Sequence, residues 1–367
     1  MCFTLAFIIV LCCYPVYADV SAQAYILYCP STGEVVSQRN MNRRMTMAST
    51  TKIMTGLLLC EAGAPETIVS ITSSMLKVEG TSIGLQKGDR ISRINLAYGL
   101  LLESGNDAAN AIAIHLAGSI EAFAEQMNSR AQQLGLDGTH FVTPSGLDAD
   151  AHYTTAYDMA ILTAAAMQNP TFRKIVGTKT YSSVYNDGNT RRTYSNHNRL
   201  LHTLDGADGV KTGFTKKSGR CLVSSCTRNG LQLIAVTLNA PNDWSDHKQL
   251  YNDGFQRYQS VTLDCKISVS ALPVAGGTRN RVKIFYEPVQ VWLQNGDASD
   301  VTYQIRLPRF IYAPVKTGEQ VGSIDYIYNQ KIIASVPFTT SEESAIMVIE
   351  QSWTDRFWQS VCQLLHF

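Results

Sequence analysis

Ser49-Thr50-Thr51-Lys52-Ile53-Met54-Thr55-Gly56-Leu57-Leu58-Leu59-Cys60-Glu61-Ala62 is a short polar lead followed by an apolar run. No proline interrupts the run, and Gly56 is its one weak helix former. The pattern predicts a buried helix from Lys52 to Ala62 with Ser49 at its N-terminal end. Residues three apart share a helix face, so Lys52 can reach Ser49. Upstream, Ala24 to Cys29 reads as a strand, Ser31-Thr32-Gly33-Glu34 as a turn and Val35-Val36 as the start of a return strand.

Downstream, Ile94 to Ala117 reads as helix, with Gly99 and Gly105 as breaks and Gly118 as a stop. Asp158 to Met167 is another helix, closed by Asn169-Pro170. Gly209 to Thr215, Arg220 to Thr227 and Leu231 to Leu238 alternate as strands do, and Asn229-Gly230 marks a hairpin between the last two. Asp246 to Tyr258 returns to helix. Strands at both ends with helices between them imply an α/β (α+β) domain, a sheet flanked by helices. From Val261 the texture changes to short strand-like runs: Val282 to Tyr286, Val289 to Leu293, Val301 to Leu307, Gln320 to Tyr328 and Lys331 to Val336. This predicts a second, small, all-β domain.

The ends of the chain carry different signals. Phe3 to Cys13 is an apolar run of signal-peptide length, and Val16-Tyr17-Ala18 offers a cleavage site before Asp19, although no Lys or Arg follows Met1. At the other end Trp353, Phe357, Trp358, Val361, Leu364 and Leu365 recur at three- and four-residue steps, an amphipathic helix over 346–367. Its aromatic face suits a membrane interface, and docking on the chain's own β-domain is the alternative. The divisions are therefore 1–18 signal peptide, 19–260 α/β domain, 261–345 β-domain and 346–367 anchor helix.

Composition sets limits. The 367 residues allow two domains with real cores, and 45% apolar with 17% charged residues is ordinary for a soluble globular protein. A formal net charge of +1 argues against an electrostatic nucleic-acid binder. Beyond Cys2, Cys12 and Cys13, the remaining Cys29, Cys60, Cys221, Cys226, Cys265 and Cys362 show no ligand spacing, so neither a metal nor a cofactor is expected. The odd separation of Cys221 and Cys226 puts them on opposite faces of one strand, so they should not bond to each other.

Two further polar motifs complete a chemical set with Ser49 and Lys52. Ser104-Gly105-Asn106 interrupts an apolar helical stretch, and a polar break inside a core needs hydrogen-bond partners. Lys211-Thr212-Gly213 sits on a strand. A serine hydroxyl needs an adjacent base, and a lysine can serve if burial or another cation lowers its pKa; Lys211 is the obvious second cation. Ser104 can relay a proton to a leaving amine, and Asn106 can bind a substrate carbonyl. Lys211 and Thr212 can hold a carboxylate, while Gly213 lets backbone approach closely. The backbone N–H groups of Ser49 and Phe214 can form an oxyanion hole. Each motif has a decoy or a bland reading. Ser74-Met75-Leu76-Lys77 repeats the first in a polar stretch, and Lys316-Thr317-Gly318 repeats the third in a turn-like context of the β-domain. His140, His152, His197 and His202 are rival bases, but none has a triad context and no G-x-S-x-G elbow exists.

The order Ser49-x-x-Lys52, Ser104-x-Asn106, Lys211-Thr212-Gly213 resembles the penicillin-binding serine enzymes, and most closely the D-alanyl-D-alanine carboxypeptidases. The segments Phe141 to Asp148, His152 to Ala160 and Asn198-Arg199-Leu200 resemble family segments as well. The resemblance implies a serine β-lactamase/transpeptidase-like catalytic fold and a D,D-carboxypeptidase acting on peptidoglycan stem pentapeptides through an acyl-enzyme on Ser49. It implies β-lactams as covalent inhibitors. It also implies export to the outer face of the bacterial cytoplasmic membrane, with a terminal anchor. Arg199 would then recognise the terminal carboxylate; a surface salt bridge is its other reading. A β-lactamase, a D,D-endopeptidase and a non-catalytic penicillin-binding scaffold are the competing functions. Gly105 stands where related β-lactamases carry Asp, and no obvious Glu follows Asp137 to prime a deacylating water.

Overall fold

The computed structural model describes residues 20–267, 269–347, 357, 358 and 360–362. The signal segment 1–18 and most of the expected helix over 346–367 lie outside the described residues; Phe357, Trp358, Ser360, Val361 and Cys362 are described and are helical. The chain divides into two compact units, Met1–Phe255 and Gln256–Phe367.

The first unit is built on a five-stranded antiparallel sheet. Its order is Glu34–Arg39, Ala24–Cys29, Leu231–Leu238, Gly219–Arg228, Ala207–Thr215, so the N-terminal hairpin adds to strands from the far end of the unit. Period-two patterning gives the sheet two covered faces. Ile26, Val223, Ile234 and Val236 join the main core beneath the helices Lys52–Glu61, Arg93–Leu101, Asn106–Ala117 and Ala156–Gln168. On the other face lies the helix Asp243–Gln256, which approaches so closely that a Cβ on Gly254 would collide with Leu27.

A buried polar knot fastens that helix. Ser224 Oγ lies 2.6 Å from His247 Nδ1 and 2.7 Å from the Tyr251 hydroxyl, and Thr237 Oγ1 lies 2.9 Å from His247 Nε2. Both ring nitrogens are thus satisfied with the imidazole neutral, and burial pushes its pKa down to about 3. Cys221 faces the main core, whereas Cys226 hydrogen-bonds toward the Asp205 carbonyl; both thiols are free.

The strand and helix readings hold with shifted ends. The Ile94 to Ala117 stretch is two helices separated at Leu102 to Gly105, and Gly118 closes the second in a left-handed conformation (φ 85°). Asn169-Pro170 ends one helix and also starts another, Pro170–Gly177, because the Asn169 side chain caps the Thr171 and Phe172 N–H groups and proline is tolerated at a first helical position. Tyr258 belongs to a strand rather than to the preceding helix. The helix Ile120–Gln133 and the hairpin of Thr180–Tyr185 with Thr190–Ser195 are additions to the sequence reading.

The second unit pairs Tyr258–Leu263 with Val289–Gln294. It also holds a six-stranded sheet in the order Thr302–Arg306, Gln320–Tyr328, Lys331–Thr340, Arg281–Phe285, Ala271–Ala275, Ile311–Tyr312. Leu272, Leu293, Ile324 and Phe338 form its core. Lys316-Thr317-Gly318 lies in a turn here, with Gly318 at φ 81° and Glu319 Oε2 accepting from the Lys316 N–H at 3.0 Å.

Candidate active site

Ser49 occupies a single 3-10 turn, Ala48–Thr51, immediately before the helix Lys52–Glu61. Lys52 is completely buried on that helix. Its Nζ lies 2.9 Å from Ser49 Oγ, 2.7 Å from Asn106 Oδ1 and 2.5 Å from the Ser145 carbonyl oxygen. Burial, and then the nearby Lys211 charge, hold its pKa well below the usual lysine range, with Asp107 acting weakly the other way. A neutral amine fits the three contacts: two N–H groups donate to Asn106 and Ser145, and the lone pair faces the Ser49 hydroxyl.

The polar break between two helices brings Ser104 and Asn106 to this lysine. Ser104 takes a left-handed backbone (φ 65°) that turns the chain out of one helix and into the next. Asn106 is locked at both ends of its amide, since Nδ2 also donates to the Glu79 carbonyl at 2.8 Å. Its neighbour Asp107 accepts from Ser82 Oγ and from the Ile83 and Leu85 N–H groups at 2.6–3.0 Å, pinning the 82–85 segment beside the site.

The strand Ala207–Thr215 is the free edge of the sheet and passes across the Ser49 turn. A Cβ at Gly213 would stand 3.1 Å from the Ser49 and Thr50 nitrogens, so glycine permits this approach. Lys211 is 1% exposed, and burial pulls its pKa down to about 7, opposed by Glu103. Glu103 also accepts from the Ser195 N–H at 2.6 Å and lies 3.4 Å from His197 Nε2.

These elements enclose a cavity of about 350 Å3, lined among others by Ser49, Ser104, Arg199, Thr212, Gly213 and Phe214. Lys52, Asn106 and Lys211 lie buried, outside this lining. Arg199 reaches the cavity and has no side-chain hydrogen bond among the described residues. Ser74 is exposed in a turn, its hydroxyl 2.9 Å from Thr72 Oγ1.

His152 is buried behind the Ser49 turn. Its Nδ1 accepts from the Val142 N–H at 2.9 Å, so the proton sits on Nε2, which donates to Thr51 Oγ1 at 2.8 Å. Burial pushes its pKa down to about 4, which leaves it a neutral brace. His140 Nδ1 lies 2.8 Å from the Ala151 carbonyl. Among the described residues no group of three or more His, Cys, Asp or Glu has a metal-binding arrangement.

Sequence reasoning missed several contributors. The Ser145 carbonyl is invisible to a side-chain search. Glu103 and Asp107 flank the Ser104 motif directly, and acidic residues in a polar break within a core were the available signal. Gly146 (φ 84°) brings the 143–147 segment against the turn, so that a Cβ there would strike the Ala48 carbonyl and approach Thr51 Oγ1 to 2.8 Å. Gly146→Ala is therefore expected to cost about 3 kcal/mol of stability through strain and overpacking and to slow penicillin acylation by displacing the Ser145 carbonyl. Thermal melts together with acylation rates check this.

The penicillin-binding class shows first in solved structures. Penicillin-binding protein 5 from Haemophilus influenzae matches with a TM-score of 0.66 and 29% identity, covering 89% of this chain and 98% of that one. The Streptomyces K15 DD-transpeptidase matches with a TM-score of 0.62 and 31% identity over 66% of this chain and 99% of its own. Among curated proteins, the D-alanyl-D-alanine carboxypeptidase DacC of Escherichia coli is 32% identical over 95% of this chain and 89% of its own length. DacF of Bacillus subtilis, also a D-alanyl-D-alanine carboxypeptidase, is 30% identical over 88% and 85%. The D-alanyl-D-alanine carboxypeptidase family profile matches residues 14–242, and that of the penicillin-binding protein 5 C-terminal domain matches 262–345. This chain belongs to the D-alanyl-D-alanine carboxypeptidase family and is a serine hydrolase of that activity.

Proposed function

We propose that the chain removes the terminal D-Ala of peptidoglycan stem pentapeptides at the Ser49 site, and that β-lactams acylate the same oxygen. The observation that carries this reading is the buried Lys52 amine 2.9 Å from Ser49 Oγ. Ser49 Oγ attacks the carbonyl carbon of the penultimate D-Ala while its proton passes to Lys52 Nζ. The Ser49 and Phe214 N–H groups receive the oxyanion. The C–N bond then breaks, and Ser104 relays the proton from Lys52 to the departing D-Ala amine. Water hydrolyses the remaining ester with Lys52 again as base, restoring the Ser49 hydroxyl. Lys211, Thr212 and Arg199 hold the terminal carboxylate. Asn106 orients Lys52 and keeps one amide N–H for a substrate carbonyl.

Slow hydrolysis of a penicilloyl ester fits the same cavity. Its lining contains one carboxylate, Asp243, and Arg220 grips it at 2.9 Å. No lining carboxylate is therefore free to prime a water, which disfavours the β-lactamase reading. The test is D-Ala release from a diacetylated L-Lys-D-Ala-D-Ala tripeptide beside penicillin turnover. D-Ala release with a persistent penicilloyl adduct supports the carboxypeptidase. Rapid penicillin turnover without D-Ala release overturns it.

The domain reading and the location belong to the same proposal: 1–18 directs export, 19–260 carries the chemistry, 261–345 is a β-domain, and 346–367 anchors the enzyme on the outer face of the cytoplasmic membrane. Phe357 and Trp358 support the anchor, since 56% and 63% of their surfaces are exposed. The attachment is peripheral in this reading; among the described residues no helix is long and apolar enough to cross a membrane. Deleting 346–367 is expected to move the exported protein to the soluble fraction on sedimentation. Continued membrane association of the truncated protein contradicts the anchor.

A further inference from the structure

Arg220 lines the cavity but takes no part in the acyl-transfer steps above. The pairing of its strand with the edge strand Ala207–Thr215 sets it directly opposite Phe214, and Leu222 opposite Thr212. Directly opposed residues project to the same face, so Arg220 leaves the sheet beside Phe214 and Thr212.

The guanidinium is fixed in place. Its Nε and Nη2 donate to Asp243 Oδ1 at 3.1 and 2.9 Å. Its central carbon stands 5.9 Å from the Trp244 ring centroid. The Asp243 side chain is 3% exposed, whereas that of Arg220 is 43% exposed. A buried carboxylate thus orients one edge of the fork, and the Nη1 edge has no hydrogen-bond partner among the described residues. Planar guanidinium groups held this way suit recognition of a carboxylate.

The register along the strand says which carboxylate. The strand Ala207–Thr215 is the open edge of its sheet, and a peptide adding to an edge pairs through its backbone. With the terminal carboxylate at Lys211 and Thr212, an antiparallel substrate runs N-terminally past Ser49 toward Phe214 and Thr215. The residue preceding the D-Ala pair then lies level with Phe214, and hence with Arg220. Lys211 and Arg199 already serve the terminal carboxylate, which leaves Arg220 for a second anion.

We propose that Arg220, held by Asp243 and Trp244, is a specificity-determining residue that receives a side-chain carboxylate on the residue preceding D-Ala-D-Ala. The preferred stem peptide then carries a diamino dicarboxylic acid with its side-chain carboxylate free, in preference to lysine or to the amidated form. This rests on the carboxypeptidase reading of the same cleft.

The test compares D-Ala release from two matched N-acyl-X-D-Ala-D-Ala peptides. In one, X is diaminopimelic acid with a free side-chain carboxylate; in the other that carboxylate is amidated. The full-length enzyme is expected to show a KM on the order of 10-fold lower for the free acid, the scale of one charge-assisted hydrogen-bonded contact. Arg220→Gln should bring the KM ratio of the two peptides to one, and Arg220→Lys should restore part of it. The ratio is internal to each variant, so partial loss of folded enzyme does not move it. Equal KM values in the unaltered enzyme, or a ratio that survives Arg220→Gln, overturns the proposal alone. Release from neither peptide overturns the carboxypeptidase reading and the proposal together.

Discussion

Ser49→Ala is expected to abolish covalent penicillin labelling and to lower D-Ala release by about 10^4-fold or more, the scale seen when a nucleophile is removed from a concerted constellation. The loss is chemical, because the substituted side chain lacks the one oxygen that the Lys52 amine faces. The fold should be unaffected. The packing of the Ser49 turn rests on Thr50 and Thr51, whose hydroxyls donate to the Met47 and Ala48 carbonyls, and on the close passage of Gly213. The Ser49 N–H also remains, so the variant should still bind the substrate peptide with near-normal affinity. Ser74→Ala, by contrast, alters an exposed turn and should leave labelling intact. Loss of labelling in Ser74→Ala would show that the wrong serine had been chosen.

The second large effect concerns the two lysines. Lys52→Ala removes the base and should slow acylation by about 10^3-fold, within the usual span for general base catalysis. In the unaltered enzyme kcat/KM should be bell-shaped in pH. Lys52 must be neutral to accept a proton, so its lowered pKa sets the acid limb, and activity falls as pH drops through it. Lys211 must be charged to hold a carboxylate, so the alkaline limb lies at about 7, and activity falls as pH rises through it. A bound substrate carboxylate favours the charged form of Lys211, which should place the alkaline limb of kcat higher than that of kcat/KM. Lys211→Gln removes a positive charge that helps hold the Lys52 pKa down. The acid limb should therefore move to higher pH, the limb near 7 should vanish, and KM should rise. An acid limb that stays in place in Lys211→Gln would show that the two amines do not communicate.

Much of this site was readable where the chemistry is local. Ser49 and Lys52 are three residues apart on a helix that announces itself by an uninterrupted apolar run. Lys211, Thr212 and Gly213 lie on an alternating strand, and the Asn229-Gly230 turn marks the hairpin of the two strands that follow it, both strong short-range signals. The break at Ser104 was legible because polar residues in an apolar helical stretch demand partners. The identities of those partners were not. Lys52 meets Asn106 and the Ser145 carbonyl from opposite ends of the helical region, and the second contact is a backbone atom with no sequence signature. Long-range closeness of this kind depends on how the N-terminal hairpin adds to the later strands, a pairing that no local pattern encodes. The Asn169-Pro170 pair shows a subtler limit. Stop and start signals use the same residues, and only the tertiary packing of Phe172 and Ile175 reveals that a second helix follows. Arg220 escaped for a similar reason. In sequence it is one more charged residue after a turn, and its cleft position arises from the pairing with Phe214 and the placement of Asp243.

The decoy motifs sharpen the point. Ser74-Met75-Leu76-Lys77 repeats the Ser-x-x-Lys spacing of the Ser49 motif and Lys316-Thr317-Gly318 repeats the Lys211 motif, yet the first lies in an exposed turn and the second in a turn of the other unit. What separates the Ser49 copy is burial. A lysine with no exposed surface and a second buried lysine nearby is driven toward the neutral form that a base requires. The central claim therefore rests on one oxygen and one nitrogen. Its most direct test is intact-protein mass after exposure to penicillin, followed by peptide mapping of the adduct. One penicilloyl group on Ser49, absent from Ser49→Ala and slow to form in Lys52→Ala, is the predicted result. A stable adduct mapped to any other residue, or one formed at the normal rate without Lys52, would contradict the account.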